Sequence, residues 1–221
     1  SFQLSNGETG AINRLPNQLP SELLIAVDAT ASGNRIPLPE NWSSAVFDSR
    51  AWEGPAGLAL VAIQDAANWK NPLPHISAVR RTYGTFSLPL LIASAVALEN
   101  FTPDDQKIRT LTQRLREEIL QAIPGALVAG DLATSTPHLT SFIFPGCNGE
   151  EILRGVSARG LAVDSGSACT AMNLQPSHVL SAMDLPTDGN IRITLHAETS
   201  SEEVDLLINA LVDEVRSQQQ R

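Results

Sequence analysis

The sequence predicts an α/β protein in which a mostly parallel sheet comes first and a smaller α+β domain follows. The first observation is the unbroken apolar run Leu23–Asp28, which ends in an acid. This pattern is typical of a strand that is buried on both faces of a parallel sheet. The second is the change beyond residue 100 to amphipathic helices mixed with single strands. We assign residues 1–85 to the large α/β domain, 86–100 to a linking helix and 101–221 to the α+β domain.

The first segment continues with two further strand patterns. They lie at Ala45–Phe47 and Leu58–Ile63, with the turn Gly54-Pro55-Ala56-Gly57 between them. Phe86–Glu99 follows as a helix that is too apolar to face water on most sides, and we expect it to link two bodies of structure.

The second segment begins with a helix signal. Thr102 supplies an N-cap hydroxyl, Pro103 suits the first helical position, and an apolar stripe of Ile108, Leu111, Leu115 and Ile119 follows. A capping box at Ser200–Glu203 begins the last amphipathic helix. Between them we predict strands at Thr140–Phe144, Leu161–Val163 and Ile191–Leu195 and a helix at Glu150–Ala158.

Composition excludes several classes of function. The 221 residues are 43% hydrophobic and 18% charged, as in a globular protein, and no apolar run is long enough to span a membrane. A formal charge of -9 argues against a nucleic-acid surface. The chain has two cysteines, Cys147 and Cys169, and no signal-like start, so we expect a reducing, cytoplasmic setting. The histidines have no metal-ligand spacing.

Cys169 is the candidate for chemistry. It lies in the loop Ser165-Gly166-Ser167-Ala168-Cys169-Thr170, directly after the apolar run and Asp164. A thiol on a loop of small residues is typical of a mobile sulfur nucleophile, whereas a packing cysteine more often lies on a strand or helix. The alternative is a small residue that fills a tight turn. We interpret Cys147, in Pro145-Gly146-Cys147-Asn148, as an ordinary turn residue.

An ordered set of motifs resembles the cysteine desulfurases, which are fold type I pyridoxal-phosphate (PLP) enzymes of the class V aminotransferase group. The motifs are Asn6-Gly7-Glu8-Thr9-Gly10, Val27-Asp28-Ala29, Gly54-Pro55-Ala56-Gly57, the cysteine loop, Pro176-Ser177-His178-Val179-Leu180 and Asn190-Ile191-Arg192-Ile193. The resemblance covers most of the chain. It implies a PLP-transferase-like large domain and a dimer.

The resemblance also implies site residues. Cys169 matches the nucleophile that takes sulfur from PLP-bound cysteine, and Asp28 matches the acid that pairs with the pyridine nitrogen. Arg192 matches the guanidinium that holds the substrate carboxylate. Thr85 matches a segment that reaches the PLP phosphate of the partner subunit. The alternatives are a strand-end carboxylate for Asp28, a structural ion pair for Arg192 and a helix cap for Thr85.

The chain departs from this family at the cofactor positions. The family has Ser-x-His-Lys before its glycine-proline loop, whereas this chain has Asp48-Ser49-Arg50-Ala51. Ala51 can form no imine and move no proton, and positioned proton transfer alone is worth roughly 10²- to 10⁴-fold. An acid at Asp48 would repel a phosphate. Gly7 and Ala31 replace a further asparagine and a glutamine.

Neither lysine of the chain substitutes for the missing one. Lys70 lies well past the strand that follows the loop, and Lys107 lies on an amphipathic surface helix. The family's N-terminal portion, with another phosphate loop and the aromatic group stacked on PLP, has no match here. We therefore expect either a fragment or a shortened protein, with a missing segment or a partner chain covering the sheet edges.

The sequence thus predicts a degenerate cysteine-desulfurase-like protein without PLP catalysis of its own. It would act through Cys169 as a sulfur-relay or partner subunit and would pass sulfur to an acceptor protein. We expect it to form a homodimer or a heterodimer with an active desulfurase. One alternative is a PLP-dependent desulfurase or lyase that binds the cofactor non-covalently or with the help of a missing N-terminal segment. Another is a non-catalytic interaction scaffold in which Cys169 is a relic.

Overall fold

The chain divides into two compact units, which are described separately. The computed structural model describes residues 1–67, 69–70, 87–103, 105–165 and 176–220. The first unit consists of Ser1–Ser5 and Asn13–Thr102, and the second of Asn6–Ile12 and Pro103–Arg221. The short segment Asn6–Ile12 therefore belongs with the C-terminal half of the chain.

The first unit contains a four-stranded sheet in the order β1-β2-β3-β4. β1 pairs with β2 and β2 with β3 in parallel, as the sequence predicts, and β4 is antiparallel to β3. The connection from β3 to β4 is too short for the crossover that a parallel pair needs. The strands are β1 Phe2–Gln3, β2 Ala26–Asp28, β3 Ser44–Asp48 and β4 Ala59–Ile63.

The predicted strand Leu23–Asp28 is wrong for its first three residues. β2 begins at Ala26, and Leu24 is 84% exposed. The Leu23 N–H donates to the Pro20 carbonyl at 3.1 Å, so a turn occupies these residues, and β1 offers only two residues for pairing. The core of this sheet is correspondingly small. Its buried members are Leu4, Ile25, Val27, Ala29 and Ala45.

Helix α1 confirms the predicted helix but not its predicted burial. It spans Leu88–Asn100 and is capped by Ser87, whose Oγ accepts from the Leu90 N–H at 3.5 Å; Phe86 lies outside the described residues. Ser94 is buried, whereas Leu88, Ile92 and Val96 are each more than half exposed. Within its unit the helix therefore packs along one narrow face.

The second unit contains an antiparallel sheet covered by helices. The sheet order is β5-β6-β7. A large core is enclosed by the apolar faces of α2, α3 and α5 and includes Phe142, Phe144 and Ile193. The elements are α2 Asp105–Ala122, β5 Leu127–Ala129, β6 Leu139–Ile143, α3 Gly149–Ala158, α4 His178–Ala182, β7 Asn190–Thr194 and α5 Ser201–Gln219.

Two local predictions for this unit are confirmed. The capping box at α5 is present, since the Glu203 N–H donates to Ser200 Oγ at 3.1 Å and the Ser200 N–H donates to Glu203 Oε2 at 2.8 Å. The apolar stripe of α2 is buried, although the helix begins at Asp105 rather than at the predicted Pro103.

The strand predicted at Leu161–Val163 is absent from the structure. The chain leaves α3 through Gly160, whose φ of +80° suits glycine, and it meets β7 only where Asp164 bridges Arg192. A single bridge replaces the expected strand.

Candidate functional site

The position that matches the family's lysine lies on a short 3₁₀ helix, Ser49–Trp52, directly after β3. Asp48 caps this helix, with its Oδ1 accepting from the Arg50 N–H at 2.9 Å. Ala51 is half-buried and packs against Gly33, where an added Cβ would lie 2.8 Å from the Ala51 Cβ. The space beside Ala51 on that side is thus filled by the backbone of Gly33.

Asp48 and Arg50, at the positions where the family has serine and histidine, pair with each other. Arg50 Nη2 lies 2.6 Å from Asp48 Oδ2, and Arg50 Nε lies 3.1 Å from both carboxylate oxygens. The hydrogen bonds from the Arg50 side chain lower the pKa of Asp48 below its ordinary value. The carboxylate therefore stays ionised at neutral pH, and its negative charge opposes a phosphate. Together with Ala51, this pair does not fit PLP bound in the family's manner.

This ion pair predicts a small acid-dependent change in stability. Asp48→Asn removes the charge but keeps an N-cap acceptor. Because the folded-state pKa of Asp48 lies below its unfolded value, the pair stabilises the fold above about pH 4, and this contribution disappears as the pH falls through the folded-state pKa.

We expect wild type to exceed D48N by less than about 1 kcal/mol in unfolding free energy at pH 7, because the Arg50 side chain is 69% exposed. Urea unfolding at pH 7 and pH 2.5 checks this. A difference that persists or grows at the lower pH would contradict it.

Trp52 fixes the 3₁₀ helix to α1. Its Nε1–H donates to the Ser94 carbonyl at 3.2 Å and lies 3.3 Å from Ser94 Oγ. Its ring packs against Phe47, with centroids 6.4 Å apart. A tryptophan directly after the lysine position is the only sign of this anchor in the sequence, and its partner in α1 cannot be predicted from it.

Asp28 ends β2 and is half-buried. Its Oδ1 accepts hydrogen bonds from the Thr30 N–H at 3.0 Å and from Thr30 Oγ1 at 2.7 Å. These contacts form a local turn, as expected for the strand-end alternative. The pairing of Asp28 with a pyridine nitrogen stays a prediction.

Arg192, on β7, is held by two groups of its own unit. Its Nη1 donates to the Gly7 carbonyl at 2.9 Å, and its Nη2 pairs with Asp164 Oδ2. Backbone hydrogen bonds join residues 164 and 192 in both directions, at 2.7 and 2.9 Å. The guanidinium thus makes a structural ion pair, which is the alternative that the sequence offered for Arg192. Its role in holding the substrate carboxylate stays a prediction. The sequence places Asp164 at the end of an apolar run but does not show that it pairs with Arg192.

The carbonyl that holds Arg192 belongs to a tightly hydrogen-bonded loop. Asn6 Oδ1 accepts from the N–H groups of Glu8 at 2.9 Å and Thr9 at 3.0 Å. Gly10, with φ +77°, lies so close to β6 that an added Cβ would be 3.0 Å from the Leu139 carbonyl. This loop fixes the Gly7 carbonyl opposite Arg192.

The predicted residues Cys169 and Thr85 lie outside the described residues. The structure describes both ends of the cysteine segment. Ser165 is buried and its N–H donates to Asp164 Oδ1 at 2.8 Å. At the other end, Ser177 caps α4 by accepting from the N–H of the buried Leu180 at 3.1 Å. Residues 166–175 thus connect the Asp164–Arg192 pair to the start of α4.

Cys147 lacks the features of a reactive thiol. It is buried, and burial, together with the charge of Asp188, raises the pKa of its thiol. A raised pKa lowers the thiolate fraction at neutral pH. The interpretation of Cys147 as a non-catalytic turn residue agrees with this environment.

The described part of the chain contains neither a candidate metal cluster nor a candidate membrane-spanning helix. No group of three or more His, Cys, Asp or Glu side chains there could hold a metal ion. None of the described helices is both long enough and apolar enough to cross a membrane.

Comparison with known proteins identifies the family. A family model described as aminotransferase class-V matches residues 5–207. The chain belongs to this family. It is 30% identical, over 96% of its length, to a cysteine desulfurase of Gluconacetobacter diazotrophicus. It is 28% identical, over 94% of its length, to the cysteine desulfurase NifS of Azotobacter vinelandii. The predicted resemblance is confirmed.

Solved structures show the same fold. A NifS-like protein superimposes with a TM-score of 0.76 at 23% identity, covering 97% of this chain and 60% of the other. The apo structure of a cysteine desulfurase from Thermococcus onnurineus NA1 gives a TM-score of 0.75 at 16% identity, covering 97% of this chain and 59% of the other. The predicted fold class is confirmed. The chain spans 56% of the length of each of the two desulfurases compared by sequence.

Proposed function

We propose that this cysteine-desulfurase-like chain carries sulfur on Cys169 as a relay or partner subunit and performs no PLP catalysis of its own. The observation that carries the proposal is Ala51 at the lysine position, on a helix capped by the Asp48–Arg50 pair. Ala51 supplies no amine, and the Arg50 guanidinium is already paired with Asp48, an acid whose charge opposes a phosphate. The loop sequence around Cys169 keeps the thiol and its small neighbours.

The relay step needs only thiol chemistry. The Cys169 thiolate attacks the terminal sulfur of a donor's cysteine persulfide, and the sulfur–sulfur bond of the donor breaks. The donor cysteine leaves as a thiolate, and Cys169 becomes the persulfide, so no net oxidation occurs. An acceptor thiol then takes the terminal sulfur in the same way. An active cysteine desulfurase is the donor that fits, in a heterodimer to which this chain contributes Thr85.

The residues on either side of the segment 166–175 are held by hydrogen bonds and an ion pair. Asp164 and Ser165 are tied to β7 through Arg192, and Ser177 is tied to α4. Cys169 lies in the segment 166–175, between these two anchored positions.

The test follows sulfur from cysteine to Cys169. The chain is incubated with an active cysteine desulfurase and sulfur-labelled L-cysteine, and the peptides are analysed by mass spectrometry under non-reducing conditions. We expect one added sulfur on the peptide that contains Cys169. Cys169→Ser should reduce the uptake to background, whereas the matched variant Cys147→Ser should keep it, because burial raises the pKa of the Cys147 thiol.

Other outcomes would replace the proposal. Release of sulfide and alanine by this chain alone with PLP and cysteine would favour the PLP-enzyme alternative. Absence of label on Cys169, together with failure of the chain to co-purify with the desulfurase, would favour the interaction scaffold.

A further inference from the structure

An open cavity of about 560 Å³ lies in the second unit beside α2. Arg109 and Arg116 line it from one face of the helix, since residues seven positions apart share a helical face. Leu120, Val128 and Leu132 supply apolar walls. The cavity therefore combines two cations with an apolar surface.

Arg116 is a buried cation with an unused donor. It is only 7% exposed, its Nε donates to Thr140 Oγ1 at 2.8 Å and its Nη1 donates to the Gly130 carbonyl at 3.3 Å. Its Nη2 has no hydrogen-bond partner among the described residues. A buried charged donor without a partner is costly, so an acceptor would be favoured there once the Arg116 side chain turns Nη2 toward the cavity.

Neither acid of the cavity wall forms an ion pair with Arg116. Burial lowers the pKa of its guanidinium; the charge of Asp131 opposes this effect, and the smaller effect of Arg109 adds to it. The structure's ion pairs among the described residues include neither arginine. Asp131 Oδ1 instead accepts from the Ala133 N–H at 3.0 Å, and Glu117 Oε1 accepts from Gln113 Nε2 at 2.8 Å.

The charge balance selects the ligand. Arg109 and Arg116 face the two acids Glu117 and Asp131 in the cavity wall, so the lining is neutral overall. A ligand with one negative charge can approach the two arginines, whereas each further negative charge adds repulsion from Glu117 and Asp131. The apolar walls favour a ligand with a hydrophobic body.

We propose that this cavity binds a monocarboxylate with an apolar body, with the carboxylate between Arg109 and Arg116. Arg109 already donates through Nη1 to the Leu132 carbonyl at 2.8 Å, which holds its side chain over the cavity. The ligand's apolar part lies against Leu120 and Val128. This site is independent of Cys169 and of the relay proposal.

The test uses benzoate as the probe on the full chain. Titration followed by ¹⁵N–¹H NMR should give saturable shifts at the backbone amides of Gly130 and Leu132. The neutral analogue benzyl alcohol and inorganic phosphate should each bind at least about tenfold more weakly, because one lacks the charge and the other lacks the apolar body.

Variants locate the site without removing the buried arginine. Arg109→Gln should weaken benzoate at least about tenfold. Leu120→Trp should block the cavity, and it replaces a side chain that is 45% exposed, so the fold should tolerate it. Arg154→Gln, on the exposed side of α3, is the matched control and should leave benzoate binding unchanged.

Any of three results with benzoate and its neutral analogue, or one with phosphate, would overturn the proposal. They are the absence of saturable benzoate binding, equal binding by wild type and R109Q, and binding of benzyl alcohol as tight as that of benzoate. Tighter binding of phosphate than of benzoate would also overturn it, because the site would then recognise a different class of anion.

Discussion

Replacing Trp52 with alanine is expected to lower the free energy of unfolding of the first unit by about 3–5 kcal/mol. The side chain is 2% exposed, so its removal leaves a large cavity in a unit with a small core. The substitution also removes the hydrogen bond from the indole N–H to the Ser94 carbonyl and the contact with Phe47. Urea unfolding followed by far-UV circular dichroism measures the loss.

Trp69 provides the matched control for this experiment. It is 42% exposed, so Trp69→Ala should change the stability by no more than about 0.5 kcal/mol. Trp52→Phe should fall between the two, since it keeps much of the packing but loses the indole hydrogen bond. If W52A and W69A prove equally stable, Trp52 does not hold the 3₁₀ helix to α1.

The sequence predicted elements wherever a local pattern determines them. The α2 stripe and the α5 capping box depend on residues three or four positions apart, and both are confirmed. Predictions failed where the burial of a side chain depends on residues that are distant in the sequence. Leu24 belongs to an apolar run yet is exposed, and α1 keeps an uncovered apolar stripe, because apolar composition does not say whether a packing partner lies nearby.

In the candidate site, too, the features that follow from a local motif could be predicted and those that depend on the fold could not. The loss of the lysine at Ala51 can be read directly from the motif. The ion pair of Arg192 with Asp164 cannot, because it joins positions 28 residues apart through the register of β7 with the chain before the cysteine loop. The unpartnered donor of Arg116 also could not be predicted from the sequence, because the burial of this side chain depends on how α2 packs on β6.

Restoring the lysine alone is expected to restore little cofactor uptake. In Ala51→Lys the new amine must pass the backbone of Gly33, and the phosphate of PLP must still approach the ionised Asp48. Adding Asp48→Ser removes that charge. We expect the A51K/D48S chain to reach half-maximal labelling at about tenfold lower PLP concentration than A51K, as expected for removing one nearby like charge. Borohydride reduction and peptide mapping quantify the adduct on residue 51.

The matched control separates local from overall charge. A51K/E40S loses one negative charge at the exposed Glu40, also in the first unit, and should label like A51K itself. Equal gains in E40S and D48S backgrounds would mean that net charge, not the Asp48–Arg50 pair, limits the approach of the phosphate. Labelling of A51K as readily as A51K/D48S would mean that the pair does not oppose the cofactor. The missing amine would then be the barrier that distinguishes this 3₁₀ helix from a PLP-binding one.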